Sequence, residues 1–251
     1  MKSSFEIAQQ IEKKIGFLRL EKRNVNGIFV RFIGTGFIID KKYLITNFHL
    51  IKIARENSDS TLIYGYYESK DSNTGVVKYK SLHIDLNKVT EDAENDIAIF
   101  TLENKLQDEN SFQKKDLVDK GLSNDFKLGD EAVYSGFPLA TEFIQIGIGL
   151  TLLVNKCVVA ALKYNAQKKD IHFLLIDSHV NPSSSGSPLI SLSNEKILGI
   201  VSGTFHQSFV SSTASENKPP GLIQIPRNIG LVRPANYIFK LIDKVETENK
   251  K

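Results

Sequence analysis

The sequence has one cysteine, Cys157, and no tryptophan among its 251 residues. A single thiol excludes an intrachain disulfide framework, and five scattered histidines (His49, His83, His172, His179 and His206) offer no zinc-ligand spacing, so no metal is expected. No apolar run approaches the ~18 consecutive residues that a membrane-spanning helix needs. The first twenty positions have no signal-peptide core either, because Glu6, Gln9, Gln10, Glu12, Lys13 and Lys14 interrupt them. Charge of one sign is also lacking: 32 Lys+Arg against 29 Asp+Glu leave a net +3 with the signs interspersed. Neither nucleic acid nor a membrane surface is therefore an expected partner. Gly34-Thr35-Gly36 and Gly147-Ile148-Gly149 lack the third glycine of a dinucleotide loop, and no Gly-x-x-x-x-Gly-Lys-Ser/Thr segment occurs. No cofactor is expected. Every Asn-x-Ser/Thr triplet is absent or blocked by proline, which together with the lone thiol gives the expectation of a reducing, cytoplasmic setting.

What is present is an ordinary globular balance, 41% hydrophobic and 24% charged, in a chain long enough to bury roughly three quarters of its unfolded surface. Ser3-Ser4-Phe5-Glu6 has the form of a capping box, and Phe5, Ala8, Ile11 and Ile15 follow at helical spacing as far as Gly16. From Phe17 the texture becomes short β-rich runs: Phe17 to Leu20, Ile28 to Ile33, Phe37 to Ile39, Tyr43 to Thr46, Thr61 to Tyr67, Val76 to Ile84 and Ile97 to Leu102. Asn26-Gly27 predicts a hairpin turn between the first two. A polar connection from 104 to about 127 precedes a second set: Glu131 to Ser135, Phe143 to Val154, Lys156 to Leu162, His172 to Ile176, Pro188 to Leu192, Ile197 to Val201 and Leu222 to Val232. A closing helix starts at Pro234, with Tyr237, Ile238, Leu241 and Ile242 on one face. The division read from this pattern is a helix over 1–16, a first β unit with its connection over 17–120, and a second β unit with the closing helix over 121–251. The fold class is all-β, with two six-stranded antiparallel barrels or sandwiches.

Three places concentrate chemistry. His49 follows the apolar run Leu44-Ile45-Thr46-Asn47-Phe48; Asp96 stands immediately before Ile97-Ala98-Ile99-Phe100; Ser185 lies in the small-residue loop Asn181-Pro182-Ser183-Ser184-Ser185-Gly186-Ser187 that enters Pro188-Leu189-Ile190. Singly they read as a packed histidine, a turn aspartate and a solvated turn. Together they supply the base, its orienting carboxylate and the nucleophile that acyl transfer from a serine hydroxyl requires. Their chain order is His, Asp, Ser, which is the order of the chymotrypsin type.

The sequence resembles the trypsin-like serine peptidases of the chymotrypsin fold, and within them the HtrA/Deg-like branch. Gly34-Thr35-Gly36-Phe37, Leu44 to Leu50 and Asn95 to Ile99 carry the resemblance in the first half. Leu128 to Pro138, Asp177 to Pro188, Leu198 to Ser202 and Asn228 to Pro234 carry it in the second. It implies chymotrypsin-type barrels with the site between them. It also implies a serine endopeptidase in which His49, Asp96 and Ser185 are catalytic and the backbone N–H groups of Ser183 and Ser185 form the oxyanion hole. Ser202, Gly203 and Thr204 would pair with an extended substrate, and His179, six residues before the nucleophile, would lie at the floor of the S1 pocket. The implied partners are a protein or peptide substrate of restricted range and a regulatory partner protein. A catalytically silent module that binds an extended peptide, and an esterase, share these features.

Two departures from the family pattern matter. Ser183 stands where glycine is usual, and Ser184 replaces the acidic residue that a freed amino terminus pairs with in digestive zymogens. Activation without N-terminal trimming is therefore expected, because a new ammonium group would have no buried carboxylate to meet. No PDZ domain is expected to follow the closing helix.

Overall fold

A computed structural model describes residues 4–25, 27–118, 127–165, 170–210 and 222–248. Helix α1 (Ser4–Glu12) is shorter than its apolar spacing predicts, because Ile15 and Gly16 already belong to the first strand. The first half then builds β1 (Ile15–Asn24), β2 (Gly27–Ile39), β3 (Tyr43–Thr46), helix α2 (Phe48–Glu56), β4 (Thr61–Lys70), β5 (Val77–His83), β6 (Val89–Asp92) and β7 (Ile97–Thr101). The second half builds β8 (Glu131–Gly136), helix α3 (Ala140–Gln145), β9 (Leu153–Tyr164), β10 (Ile171–Ile176), β11 (Pro188–Ser191), β12 (Ile197–Val210), β13 (Leu222–Pro234) and helix α4 (Ala235–Glu248).

The second half is a closed six-stranded barrel in the order β10-β13-β12-β11-β8-β9. The first half corrects the expectation of a second closed barrel: it is a seven-stranded sheet, β5-β4-β1-β2-β3-β7-β6, open between β5 and β6. The additional strand, β6, reads Val-Thr-Glu-Asp and has no buried residue, so no apolar run announces it. Two further corrections concern segments read as strands. Phe143 to Val154 is the end of helix α3, a loop in which Gly147 and Gly149 take φ of 80° and 85°, and the first two residues of β9. Its Ile144, Ile146 and Ile148 alternate like a strand yet are exposed. His49, read as a strand end, lies in the first turn of α2. Ile28 to Ile33 and Phe37 to Ile39 form one strand rather than two. In the predicted hairpin, Asn24 pairs with Gly27 at φ 130°, while Asn26 lies outside the described residues. Residues 119–126 of the connection and 211–219 of the insertion after β12 also lie outside them.

Pleating explains why the first-half strands are apolar at successive positions. Phe37, Ile39, Tyr43, Ile45, Ile97 and Ile99 face a core shared with α1, α4 and the barrel. The alternate residues Ile38, Leu44, Ala98 and Phe100 face a second cluster with Leu50, Ile51 and Ala54 of α2. Helix α4 is tied to the connection by Lys114, whose ammonium donates to Asp243 (2.6 Å) and Glu246 (2.8 Å). No helix among the described residues is long and apolar enough to cross a membrane.

Cys157 on β9 is buried, with its thiol 3.6 Å from the Ala132 carbonyl oxygen. Burial, reinforced by the negative charge of Asp177, pushes its pKa up to about 12. Only the thiolate attacks disulfide reagents, so the group stays protonated and inert at ordinary pH. At pH 8 the folded protein is expected to react with a disulfide reagent at least ~100-fold more slowly than the urea-unfolded chain. Equal rates would contradict this placement.

Candidate active site

β3 ends at Thr46, and Asn47, at the N-cap of α2, makes no side-chain cap to its own helix. The exposed donors of that helix end are met from elsewhere. The His49 N–H donates to Asp96 Oδ1 (2.9 Å), and the ring Nδ1 of His49 lies 3.1 Å and 3.0 Å from Asp96 Oδ1 and Oδ2. One carboxylate thus holds both the backbone and the ring of His49. With acceptors only at Nδ1, the neutral ring carries its proton there and leaves Nε2 as a base. Asn47 Nδ2 donates to the Asp96 carbonyl (3.0 Å) and to Ser202 Oγ (3.2 Å). Asp96 itself adopts φ 55°, a left-handed conformation that aspartate tolerates better than most residues.

The serine loop is sewn to both halves of the molecule. Thr35 N of β2 donates to the Ser185 carbonyl (2.8 Å), and Gly186 N donates to the Val201 carbonyl of β12 (2.8 Å). Thr35 Oγ1 donates to the Ser183 carbonyl (2.9 Å), while Thr46 Oγ1 donates to the Thr35 carbonyl (2.8 Å). This close approach explains two glycines. A Cβ on Gly34 would lie 2.2 Å from Leu50 Cδ1 and 3.0 Å from the Ser185 carbonyl oxygen. On Gly186, whose φ is 91°, it would lie 1.8 Å from the Thr35 carbonyl oxygen. Within the loop, Ser184 N donates to the Asn181 carbonyl and Ser187 N to the Ser184 carbonyl, both at 3.1 Å. The N–H groups of Ser183 and Ser185 have no hydrogen-bond partner among the described residues. Ser183 takes φ 67°, a position that glycine would occupy without strain.

Ser185 Oγ donates to the Ser202 carbonyl (3.1 Å) and makes no hydrogen bond to His49. Ser202 nonetheless links the serine to the Asp96 turn: its carbonyl accepts from Ser185 and its hydroxyl accepts from Asn47, the residue that also holds the Asp96 carbonyl. Ser202 is the extra residue of a bulge, since Val201 pairs with Val232 and Gly203 with Leu231. From Ser202 onward the edge of β12 away from β13 carries no strand among the described residues. A Cβ on Gly203 would meet nothing within 4 Å, so space opens over it. Thr204 is engaged: its hydroxyl donates to the Val180 carbonyl (2.8 Å) and accepts from Val180 N (2.9 Å). His179 is held through its backbone, whose carbonyl accepts from the Tyr134 hydroxyl (3.0 Å). Its half-buried ring makes no hydrogen bond to the described residues.

Three residues of this arrangement carry no role in the sequence reading. Asn47 stands two residues before His49 and Thr35 between Gly34 and Gly36, and Arg233 is a lone charge in the apolar end of β13. Among the described residues no cluster of three or more His, Cys, Asp or Glu side chains could hold a metal ion.

A family model described as a trypsin-like peptidase domain matches residues 34–200. The serine protease Do-like HtrA of Lactococcus lactis subsp. cremoris (strain MG1363) is 24% identical over 229 residues, covering 90% of this chain and 47% of that protein. Its counterpart in Lactococcus lactis subsp. lactis (strain IL1403) is 24% identical over 231 residues, with 90% and 48% covered. The chain thus spans about half the length of these curated relatives. Among solved structures, Deg5 superposes with a TM-score of 0.59 at 16% identity, covering 94% of this chain and 90% of that one. The HtrA-type protease AlgW with tripeptide superposes with a TM-score of 0.55 at 15% identity, covering 97% and 64%. These likenesses support a chymotrypsin-like fold with one closed barrel and one open sheet.

Proposed function

Because the chain belongs to the trypsin-like peptidase domain family, we propose that it is a serine endopeptidase acting through His49, Asp96 and Ser185. The observation that carries this reading is the double hold of Asp96 on His49, beside a serine joined to the same network through Ser202. In the proposed reaction the Ser185 hydroxyl turns from the Ser202 carbonyl toward His49 Nε2 and gives its proton there as its oxygen bonds the scissile carbonyl carbon. The N–H groups of Ser183 and Ser185, which lack other partners, donate to the oxyanion. The imidazolium, oriented by Asp96, returns the proton to the leaving amine as the C–N bond breaks. Water deprotonated by the same imidazole then hydrolyses the ester.

The open edge of β12 at Ser202 and Gly203 supports docking of an extended substrate backbone by strand addition. Thr204 would act there through its backbone, because its hydroxyl is spent on Val180. His179, without a side-chain partner among the described residues, is proposed to read the P1 side chain. It cannot supply the negative charge that selects arginine or lysine. A second reading rests on the Ser185 hydroxyl lying on Ser202 and on the left-handed Ser183. In it the resting protein is silent until a substrate or regulatory partner shifts the loop, a population change rather than a cleavage.

A peptide-library digestion read by mass spectrometry tests the reading. Internal cleavage with polar or acidic residues favoured at P1 is expected. A profile dominated by arginine or lysine would remove His179 from the pocket, and an undigested library would favour the silent module.

A further inference from the structure

β13 ends Gly230-Leu231-Val232-Arg233-Pro234, and the arginine is only 8% exposed. Its Nη2 donates to the Glu94 carbonyl (3.2 Å) in the turn between β6 and β7. Its Nη1 donates to the His172 carbonyl (3.3 Å) and lies 3.0 Å from the ring nitrogens of His172. The guanidinium also stacks on Phe173, 3.8 Å from the ring centre. It is therefore wedged between β10 of the barrel and the turn of the sheet that presents Asp96. Burial lowers its hold on its proton, while the charges of Asp96, Asp92 and Glu94 and the Tyr237 phenol oppose that change.

A buried guanidinium with no directly bonded carboxylate among the described residues is a costly way to fill apolar space. Methionine or leucine would pack there with no desolvation penalty, so packing does not account for it. The turn it touches does. Asn95 is held on Asp92 through its N–H (3.1 Å) and its amide (2.7 Å), and Asp96 follows in the left-handed region. A strained conformation persists only where the surroundings over-determine it. Here Asn47 holds the Asp96 carbonyl from the sheet, and Arg233 holds the Glu94 carbonyl from the barrel.

We propose that Arg233 is a positioning residue for the Asp96–His49 pair: by pinning the Glu94 carbonyl it fixes the turn that aims the carboxylate, and so makes alignment of the site depend on docking of the barrel against the sheet. The assignment rests on the reading of that pair as the catalytic base and its orienter. Misplacement by an ångström far from the reacting atoms lowers rates on the order of 100-fold. Arg233→Met is accordingly expected to lower kcat by ~10- to 100-fold while KM changes less than ~2-fold. Arg233→Lys, which keeps a donor but loses the two-armed fork, should recover part of the loss.

The second readout needs no turnover. In a Ser185→Ala background, the downfield NMR resonance of the His49 Nδ1 proton is expected to broaden or vanish in Arg233→Met and to persist in Arg233→Lys. An unchanged resonance together with an unchanged kcat would overturn the proposal. If the parent protein hydrolyses nothing but the resonance still depends on Arg233, the peptidase reading fails and the positioning role stands. Should Arg233→Met not fold, Arg233→Gln, which is neutral and shorter than the two-armed guanidinium, decides instead: a kcat within ~3-fold of the parent with the resonance unmoved would overturn the role, and a larger drop or a broadened resonance would support it.

Discussion

Ser185→Ala is expected to lower kcat for peptide hydrolysis by at least ~1,000-fold while leaving the protein folded, since loss of the nucleophile removes the acyl-enzyme route altogether. The structural effect should be small. Among the described residues the hydroxyl makes one hydrogen bond, to the Ser202 carbonyl, and the loop is held by backbone groups of Ser185 and Gly186 that the substitution does not touch. Loss of that bond corresponds to about 1 kcal/mol of stability at most. Steady-state hydrolysis and thermal unfolding on the same preparation check both halves of the expectation. A folded Ser185→Ala protein that cleaves peptides at the parental rate would place the chemistry elsewhere.

The second large effect is on the loop itself. At Gly186 a methyl group would sit 1.8 Å from the Thr35 carbonyl oxygen on a backbone with φ 91°. Neither the clash nor the dihedral can relax without pulling Gly186 N from the Val201 carbonyl (2.8 Å) or Thr35 N from the Ser185 carbonyl (2.8 Å). Gly186→Ala is expected to destabilise the protein by about 3 kcal/mol or more and to abolish turnover. The reverse substitution in the same loop should act oppositely. Ser183→Gly relieves a left-handed serine at φ 67° and gives up only a 3.5 Å contact of its hydroxyl with the Phe32 carbonyl. A gain of roughly 1 kcal/mol is expected. Urea denaturation of the two variants checks the signs, and stabilisation by Gly186→Ala would contradict the loop geometry.

How much of this was readable along the chain depended on the range of the causes. β3 and β7 are apolar on both faces and were read nearly at their observed bounds, because burial of successive residues leaves an unbroken apolar run. β6 was missed for the opposite reason, since Val89-Thr90-Glu91-Asp92 at the edge of the sheet buries nothing. Ile144, Ile146 and Ile148 misled because alternation reports a strand only when one face is covered, and these side chains are exposed. The helix that presents His49 was invisible as a helix start. Its N-terminus is completed by Asp96, 47 residues away, rather than by the side chain of Asn47. Arg233 is visible as an odd residue, yet its meaning lies in Glu94 and His172, which are 139 and 61 residues distant. Ser185, Asp96 and His49 stand out along the chain as candidates because each lies in a short segment of distinctive composition. The hydrogen bond of Ser185 to Ser202 rather than to His49 is a matter of side-chain torsion that no residue type encodes.

The central claim is that Ser185 is a nucleophile activated by an imidazole that Asp96 holds in place. Covalent labelling by a fluorophosphonate probe tests it most directly, because the probe reacts with an activated serine hydroxyl and requires no knowledge of the substrate. The purified full chain should incorporate one probe on Ser185, located by peptide mass spectrometry. Incorporation should fall at least ~100-fold in His49→Ala and in Asp96→Asn, each shown by thermal unfolding to be folded. Labelling that persists undiminished in folded His49→Ala, or a folded parent that takes up no probe with or without a bound peptide, would contradict the account.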